Sequence, residues 1–294
     1  MKRRCGDWRA ARGRAERIHS GRALRIYGCS HCCRSAGPGP PVWLCGTGSR
    51  RSLAKELSQV WVVQDGSHAT LGALGLRPSP AHGAELVGGA FPGPAQQEAA
   101  TTLIRAALAA QPRLYAYSEA HLLPTSSLEE AGLVAVAAYL RMSGPLPVLA
   151  PEVPAGYSIV ALSEVGDMVL RRAAQQTYSD RIGHTHVTPV STEPNAGGSD
   201  DALSRIAFNA LGEVVGICRA TLSGEQISFG TPGVRPDARG TGLRRALTLA
   251  VCQAARVAGA SRMVAEGWGD TEDEQAEDRA LGLETEVLTP IYSP

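Results

Sequence analysis

The residues best suited to chemistry form one continuous stretch. Val234-Arg-Pro-Asp-Ala leads into Arg239-Gly240-Thr241-Gly242-Leu243-Arg244-Arg245, and a Leu- and Ala-rich run follows. Glycines at 240 and 242 let the backbone turn sharply and present successive N–H groups. A helix opening directly after them adds the positive end of its dipole, which makes a cradle for a phosphate or pyrophosphate. Arg239 and Arg244/Arg245 add positive charge. No Gly-Lys-Ser/Thr follows the turn, so this is not a P-loop. The strand belongs to a hairpin series and no acidic residue ends a next parallel strand about 20 residues on, which excludes the dinucleotide fingerprint.

Other reactive side chains are more scattered. His184-x-His186 sits in a polar loop with Gly197-Gly198; such a pair could ligate a metal, but surface or acceptor-contacting histidines are favoured and no metal site is expected. Cys218 and Cys252 fall on apolar positions of a strand and a helix and are expected to be buried thiols, with no disulfide in a reducing compartment.

The elements that must position the loop follow from periodicity. Residues 59–64, 69–76 and 85–91 read as strands, the first two joined by an Asp65-Gly66 turn. A helix over 94–110 carries Leu103, Ile104, Ala107 and Leu108 at helical spacing. A strand at 114–118, a helix at 124–132 and a strand at 133–142 follow, giving β-β-β-α-β-α-β. The Pro-rich stretch 145–154 reads as a linker. Beyond it come a strand at 157–162 and a helix from an N-capping Ser163 to about 178, with Glu164 and Asp167 in its first turn. A hairpin at 204–209 and 213–222, a strand at 226–234, a helix at 241–258, a strand at 262–268, a helix at 272–282 and a strand at 283–291 complete the chain. Ala131-Gly132-Leu133 matches Leu281-Gly282-Leu283, a weak repeat of about 146–150 residues that argues for duplicated domains rather than a solenoid.

Composition divides the chain differently. The 294 residues carry a net charge of +1, but residues 1–55 hold 13 of the 29 basic residues and only two of the 28 acidic ones, Asp7 and Glu16. That segment is therefore +11 and the remainder −10. Five of the seven cysteines (Cys5, Cys29, Cys32, Cys33, Cys45) lie in it. A Cys29-x2-Cys32 metal site lacks its second ligand pair, a basic nucleic-acid arm lacks interleaved aromatics, and a secretory signal lacks an apolar centre. A transit peptide fits the charge but not the cysteines or the Gly-Pro-Gly-Pro-Pro run at 37–41. The favoured reading is a segment without packed structure, at the extreme the product of a wrong start or a shifted frame. The expected organisation is thus 1–55, a first domain at 56–147 and a second at 148–294. No run of about 18 apolar residues exists to cross a membrane as a helix, and the expected location is cytoplasmic.

Around Arg239 the sequence resembles the GNAT superfamily of N-acyltransferases, whose pyrophosphate loop reads Arg/Gln-x-x-Gly-x-Gly/Ala. Here it stands as Arg239-Gly240-Thr241-Gly242-Leu243-Arg244, with an arginine where the family has a small residue. The resemblance covers 150–294 well and 56–147 loosely. It implies an α/β (α+β) fold of two tandem mixed sheets flanked by helices, the first copy degenerate and incomplete, a layout similar to that of mycothiol synthase. It further implies acetyl-CoA as co-substrate, its pantetheine arm along the backbone of Gly233 and Val234 and its thioester near Trp268. A primary amine of a small molecule would attack the thioester directly.

Such a reaction needs a base and an acid. Glu266 and Glu225 are candidate bases; each could equally be a solvated edge carboxylate. The family's acid is a tyrosine in Tyr-x-x-Leu-Gly-Phe, which reads Asp278-Arg279-Ala280-Leu281-Gly282-Leu283 here. An ionised aspartate beside a developing thiolate has the wrong charge, so Tyr292 is the substitute if its hydroxyl reaches the sulfur. Trp268 and Asp270 could touch the acyl group or acceptor, or Trp268 could simply fill core. In the first copy the loop position reads Pro92-Gly93-Pro94-Ala95, without arginine or a second glycine, so no CoA is expected there. The reading from another class is a catalytically silent acyl-CoA-binding module, suggested by Asp278 and Arg244.

Overall fold

The computed structural model describes residues 25–29, 56–183 and 190–294. The chain forms two compact units, Met1–Pro78 with His82–Val134 and Tyr292–Pro294, and Ser79–Ala81 with Ala135–Ile291.

In the first unit, strand β1 (Arg25–Cys29) pairs antiparallel with β2 (Gln59–Gln64), from Arg25↔Gln64 to Cys29↔Val60. The basic segment therefore contributes backbone to the sheet, which its charge and glycine content concealed; its cysteines' side chains and the rest of residues 1–55 lie outside the described residues. Strands β3 (Thr70–Ser79), β4 (Gly83–Ala90) and β5 (Leu114–Tyr117) continue the sheet in order, with β5 parallel to β4. Helix α1 (Gln96–Ala110) buries Leu103, Ile104 and Ala107 at helical spacing, and α2 (Thr125–Glu130) follows. Pro92 and Pro94 lack N–H groups, and the Gln96 amide is already bonded to the Gly93 carbonyl at 3.1 Å.

Strand β6 (Val134–Pro145) was expected to close the first domain. Its contacts place residues from Ala135 on in the second unit, because it pairs antiparallel with β13 (Arg262–Trp268) over seven positions, from Arg262↔Pro145 to Trp268↔Tyr139. The boundary expected at 147/148 thus falls at 134/135, before the proline stretch rather than within it.

The second unit continues with β7 (Tyr157–Ala161), a 3-10 turn at Leu162–Glu164 and helix α3 (Met168–Gln176). The expected start at Ser163 shifts because Val165 is extended and the chain re-enters a helix only at Asp167, whose carboxylate caps the Val169 amide at 2.7 Å. The following strands are β8 (Arg205–Asn209), β9 (Val214–Cys218), β10 (Ala220–Ser223), β11 (Gln226–Gly230) and β12 (Gly233–Val234). Helix α4 (Leu243–Val257), β13, helix α5 (Glu272–Ala280) and β14 (Glu284–Ser293) finish the chain.

Two of the expected strands are each broken in two. The run 213–222 divides at Arg219 into β9 and β10, and 226–234 divides at Thr231-Pro232 into β11 and β12. One half of each joins the sheet β12-β9-β8-β7; the other joins the run β14-β6-β13-β11-β10. Helices α3 and α4 both pack on β9, which explains why Val-Val-Gly-Ile-Cys is apolar without alternation and buried throughout. The α4 side carries Leu243, Leu247 and Val251; the α3 side carries Leu162, Ala174 and Ile206. Cys218 and Cys252 are fully buried free thiols, as their positions predicted.

Candidate functional site

The break between β11 and β12 creates the site. Strands β11 and β13 run parallel from Gln226↔Arg262 to Gly230↔Glu266, and the Thr231 amide makes the last bond, 2.8 Å to the Glu266 carbonyl. Pro232 has no N–H to continue the ladder. Gly233 and Val234 then pair with Ile217 and Gly216 of β9 instead. The strands part at this point, leaving a split between β12 and the end of β13. A Cβ on Gly233 would lie 2.5 Å from the Thr177 hydroxyl and 2.8 Å from the Tyr178 ring, so only glycine fits under the end of α3.

Past β12, Arg239-Gly240-Thr241-Gly242 leads into α4. Gly240 and Gly242 take φ of 73° and 89°, the left-handed region where other residues are strained. Gly242 is the N-cap and offers no side chain, so the first-turn amides have only the Thr241 hydroxyl, 3.4 Å from the Leu243 N–H. Nothing stands within 4 Å of where a Gly240 side chain would begin, and only Pro154 at 3.9 Å does so at Gly242. Beside the loop is a cavity of about 510 Å³ lined by Thr241, Gly242, Arg245, Ala246 and Pro154.

The arginines divide their work. Arg239 donates to the Val234 carbonyl at 2.9 Å and to both oxygens of Asp180 at 2.7 Å, which holds the Asp180 carboxyl below its ordinary range. Arg244 is buried and clamps Asp278 with two bonds, 2.9 and 2.7 Å. The two departures from the family pattern are therefore each other's partners. Arg244 also stands 3.7 Å from Asp270 and 3.4 Å from Glu277. Arg245 is the arginine that lines the cavity.

Around that pair lies a larger ion cluster. Arg181 binds Glu274 and reaches Asp270 at 3.5 Å, and the Thr231 hydroxyl donates to Asp270 at 3.1 Å. Asp270 is thus held across the start of the split; a Cβ on Gly267 would lie 2.1 Å from its carboxylate. Burial would raise the Glu274 carboxyl, but Arg181, the Thr271 amide and Arg244 overcome it and bring it down to about 2. Burial wins at Asp270, whose carboxyl is raised despite Arg244 and Arg181. A group lowered from its ordinary 4.5 to about 2 stabilises the fold above pH 4.5, and that contribution disappears as pH falls towards 2. Asp270, being raised, acts in the opposite sense. Acid unfolding of the second unit is therefore expected to steepen between about pH 4.5 and 2, and Glu274→Gln is expected to flatten that limb. Identical acid limbs for the two proteins in thermal melts would contradict this.

The other candidates separate. Glu266 is part-exposed on β13, accepting from the Tyr139 hydroxyl and lying 3.7 Å from Arg141. Trp268 packs its ring against Tyr139 with centroids 5.1 Å apart. Glu225 is too far from the split to act as its base: it precedes β11, five residues before Gly230, roughly 17 Å away at strand rise. Its carbonyl accepts from Ser261 and Arg262, and its carboxylate accepts from the Ser261 hydroxyl at 3.0 Å, so it holds a turn. Tyr292 belongs to the first unit, buried in that unit's core with its hydroxyl 3.3 Å from Glu129. Burial there, not proximity to the loop, explains this tyrosine. His184 and His186 lie outside the described residues, and no His/Cys/Asp/Glu group able to hold a metal occurs among the described ones. Arg181 and Glu274 were not foreseen; the only hint was the acidic density of 272–278.

No protein-family model and no curated protein matches the chain. Solved structures do. A GCN5-related N-acetyltransferase from Sphaerobacter thermophilus aligns with TM-score 0.51 at 18% identity, covering 79% of both chains. A conserved protein of unknown function from Enterococcus faecalis V583, a probable N-acyltransferase, aligns with TM-score 0.56 at 11% identity, covering 92% of this chain and 72% of its own. At these identities the likeness concerns architecture, and this chain has the fold of the GCN5-related N-acetyltransferases.

Proposed function

We propose that the second unit is an acyl-CoA-dependent N-acyltransferase, with acetyl-CoA as donor and a primary amine of a small molecule as acceptor. The observation that carries this is the uncapped, open glycine loop at the N-terminus of α4, six residues beyond the strand split. The loop fits a diphosphate: the amides of Gly240, Thr241, Gly242 and Leu243 lack a full set of partners, and Arg245 and the helix dipole supply positive potential. Gly233 and Val234 edge the split where an amide-bearing arm would run, with the Val234 carbonyl already taken by Arg239. Bound acetyl-CoA supplies an acyl group activated as a thioester. Glu266 takes the proton of the attacking amine, directly or through water, and Trp268 with Tyr139 walls the acceptor side. Arg239 serves by bracing the loop against Asp180 rather than by meeting phosphate.

A second reading keeps its place because Asp278 is locked to Arg244: a binding module without turnover. Free-thiol release across a panel of amines, run beside calorimetric titration with acetyl-CoA, separates the two. The transferase predicts micromolar-range binding and amine-dependent thiol release. Binding without release at any pH supports the silent module, and absence of both discards the site.

A further inference from the structure

The two strand breaks lie side by side. Ala220 pairs with Phe229, so the next positions, Arg219 between β9 and β10 and Gly230 at the end of β11, stand opposite each other, and Gly230 pairs with Glu266. Cys218, Ala220, Phe229 and Ala265 all point into the core under α4. Alternation therefore sends Arg219, Gly230 and Glu266 to the other face, the one that carries α3. Only the Glu266 carbonyl, at 4.0 Å, stands near where a Gly230 side chain would begin. An open floor thus separates the arginine from the carboxylate.

Arg219 is a cation without a counterion of its own. The nearby carboxylate, Asp201, is clamped by the buried Arg171, so two guanidinium groups share one negative charge. Arg219 Nη1 donates to the Ala196 carbonyl at 3.2 Å, but its Nε–H is buried and has no hydrogen-bond partner among the described residues. The Gln175 side-chain nitrogen is buried and unpartnered in the same way. Gln175 stands one turn after Arg171 and three residues before Tyr178, and both of those act on Arg219 through space. Burial depresses the Arg219 pKa, Asp201 opposes this and Arg171 adds to it, yet a guanidinium stays charged at neutral pH. Two unspent donors, one of them charged, are the complement of a carboxylate. On the other flank of Glu266, Arg141 is answered by Glu266 at 3.7 Å and Glu286 at 3.1 Å, so it has no charge to spare.

We propose that the acceptor amine carries a carboxylate, which seats on Arg219 and Gln175 while the amine reaches Glu266 across Gly230. This rests on the acyl-transfer reading and names the class of acceptor it would use. The carboxylate spends the two idle donors and supplies the charge that Arg219 lacks. A polyamine, by contrast, brings a second cation against an uncompensated one. Arg219 and Glu266 are two strand spacings apart, about 10 Å between their Cα positions. That span favours acceptors with several bonds between amine and carboxylate over α-amino acids.

The test uses the full chain with saturating acetyl-CoA and matched acceptors, 6-aminohexanoate and glycine beside their primary amides, followed by free-thiol release. Each carboxylate is expected to exceed its amide in kcat/KM by about tenfold or more, the worth of one charge-assisted hydrogen bond, with the difference mainly in KM. 6-Aminohexanoate is expected to lead glycine. In Arg219→Gln the carboxylate-to-amide ratio is expected to fall to within about twofold of unity, while Arg219→Lys, which keeps the charge but not the fork, retains part of it. Should Arg219→Gln fail to fold, Gln175→Glu, which sets a carboxylate beside the guanidinium, is expected to lower the ratio likewise. Amines without a carboxylate turned over as well as those with one, or a parental ratio in either folded variant, overturns this assignment while leaving acyl transfer standing. A parent that binds acetyl-CoA but releases thiol with no amine, or binds none, overturns the acyl-transfer reading and this proposal with it.

Discussion

Replacing Arg244 by methionine is expected to cost about 3–5 kcal/mol of unfolding free energy, the usual result of removing one partner from a buried pair. Asp278 is 2% exposed and Asp270 7%, so both would be left in a dry site, Asp278 without its clamp and Asp270 with Arg181 alone. The loss comes mainly from stranded carboxylates rather than from the bonds removed. Combining Arg244→Met with Asp278→Leu is expected to recover most of it, since an apolar pair of similar volume often does as well as an ion pair. Recovery stops short because Asp270 keeps only one guanidinium nearby. Urea unfolding of the parent, both single variants and the double variant closes the cycle. A single-variant loss below about 1 kcal/mol, or a double variant no better than either single one, would show the cluster to be ornamental.

Gly242→Trp is expected to abolish measurable acetyl-CoA binding. The side chain would start in the open space beside the loop, where only Pro154 stands within 4 Å, and would cover the first-turn amides of α4. A loss of 100-fold or more, about 2.7 kcal/mol, is the expected size. Because φ at this position is 89°, tryptophan also strains the backbone. Gly242→Asn is the companion variant: asparagine tolerates the left-handed region and adds little bulk, so it reports the strain alone. Calorimetric titration of both variants decides the matter, and parental affinity in the tryptophan variant would remove the loop from the site.

Much of this architecture was legible in the residues. Apolar periodicity located α1, α4 and β13 to within two residues, and glycine spacing picked out the loop at 240–242. What escaped were facts about pairing. Residues 226–234 read as one strand because Pro232 was treated as part of it, yet its missing N–H is what transfers the chain between sheets. The proline stretch at 145–154 suggested a domain border, but strand partnership is set by registers such as Trp268↔Tyr139, which hydropathy does not encode. Arg244 and Asp278 each stood out as departures from a pattern; that one answers the other is visible only once two helices bring positions 34 apart into contact. Tyr292 serves as the acid only if its hydroxyl reaches the sulfur, which no sequence pattern can show; that hydroxyl instead donates to Glu129, 163 residues away.

That tyrosine bears on how the polypeptide is made. Domains commonly fold in order as they emerge during synthesis, amino-terminal part first. Here the first unit includes Tyr292–Pro294, and Tyr292 fills part of its core. The unit that begins to emerge first therefore cannot complete its interior until Tyr292, far down the chain from Val134, has been made. Its core is closed by a side chain that arrives only after the second unit's own elements have been synthesised.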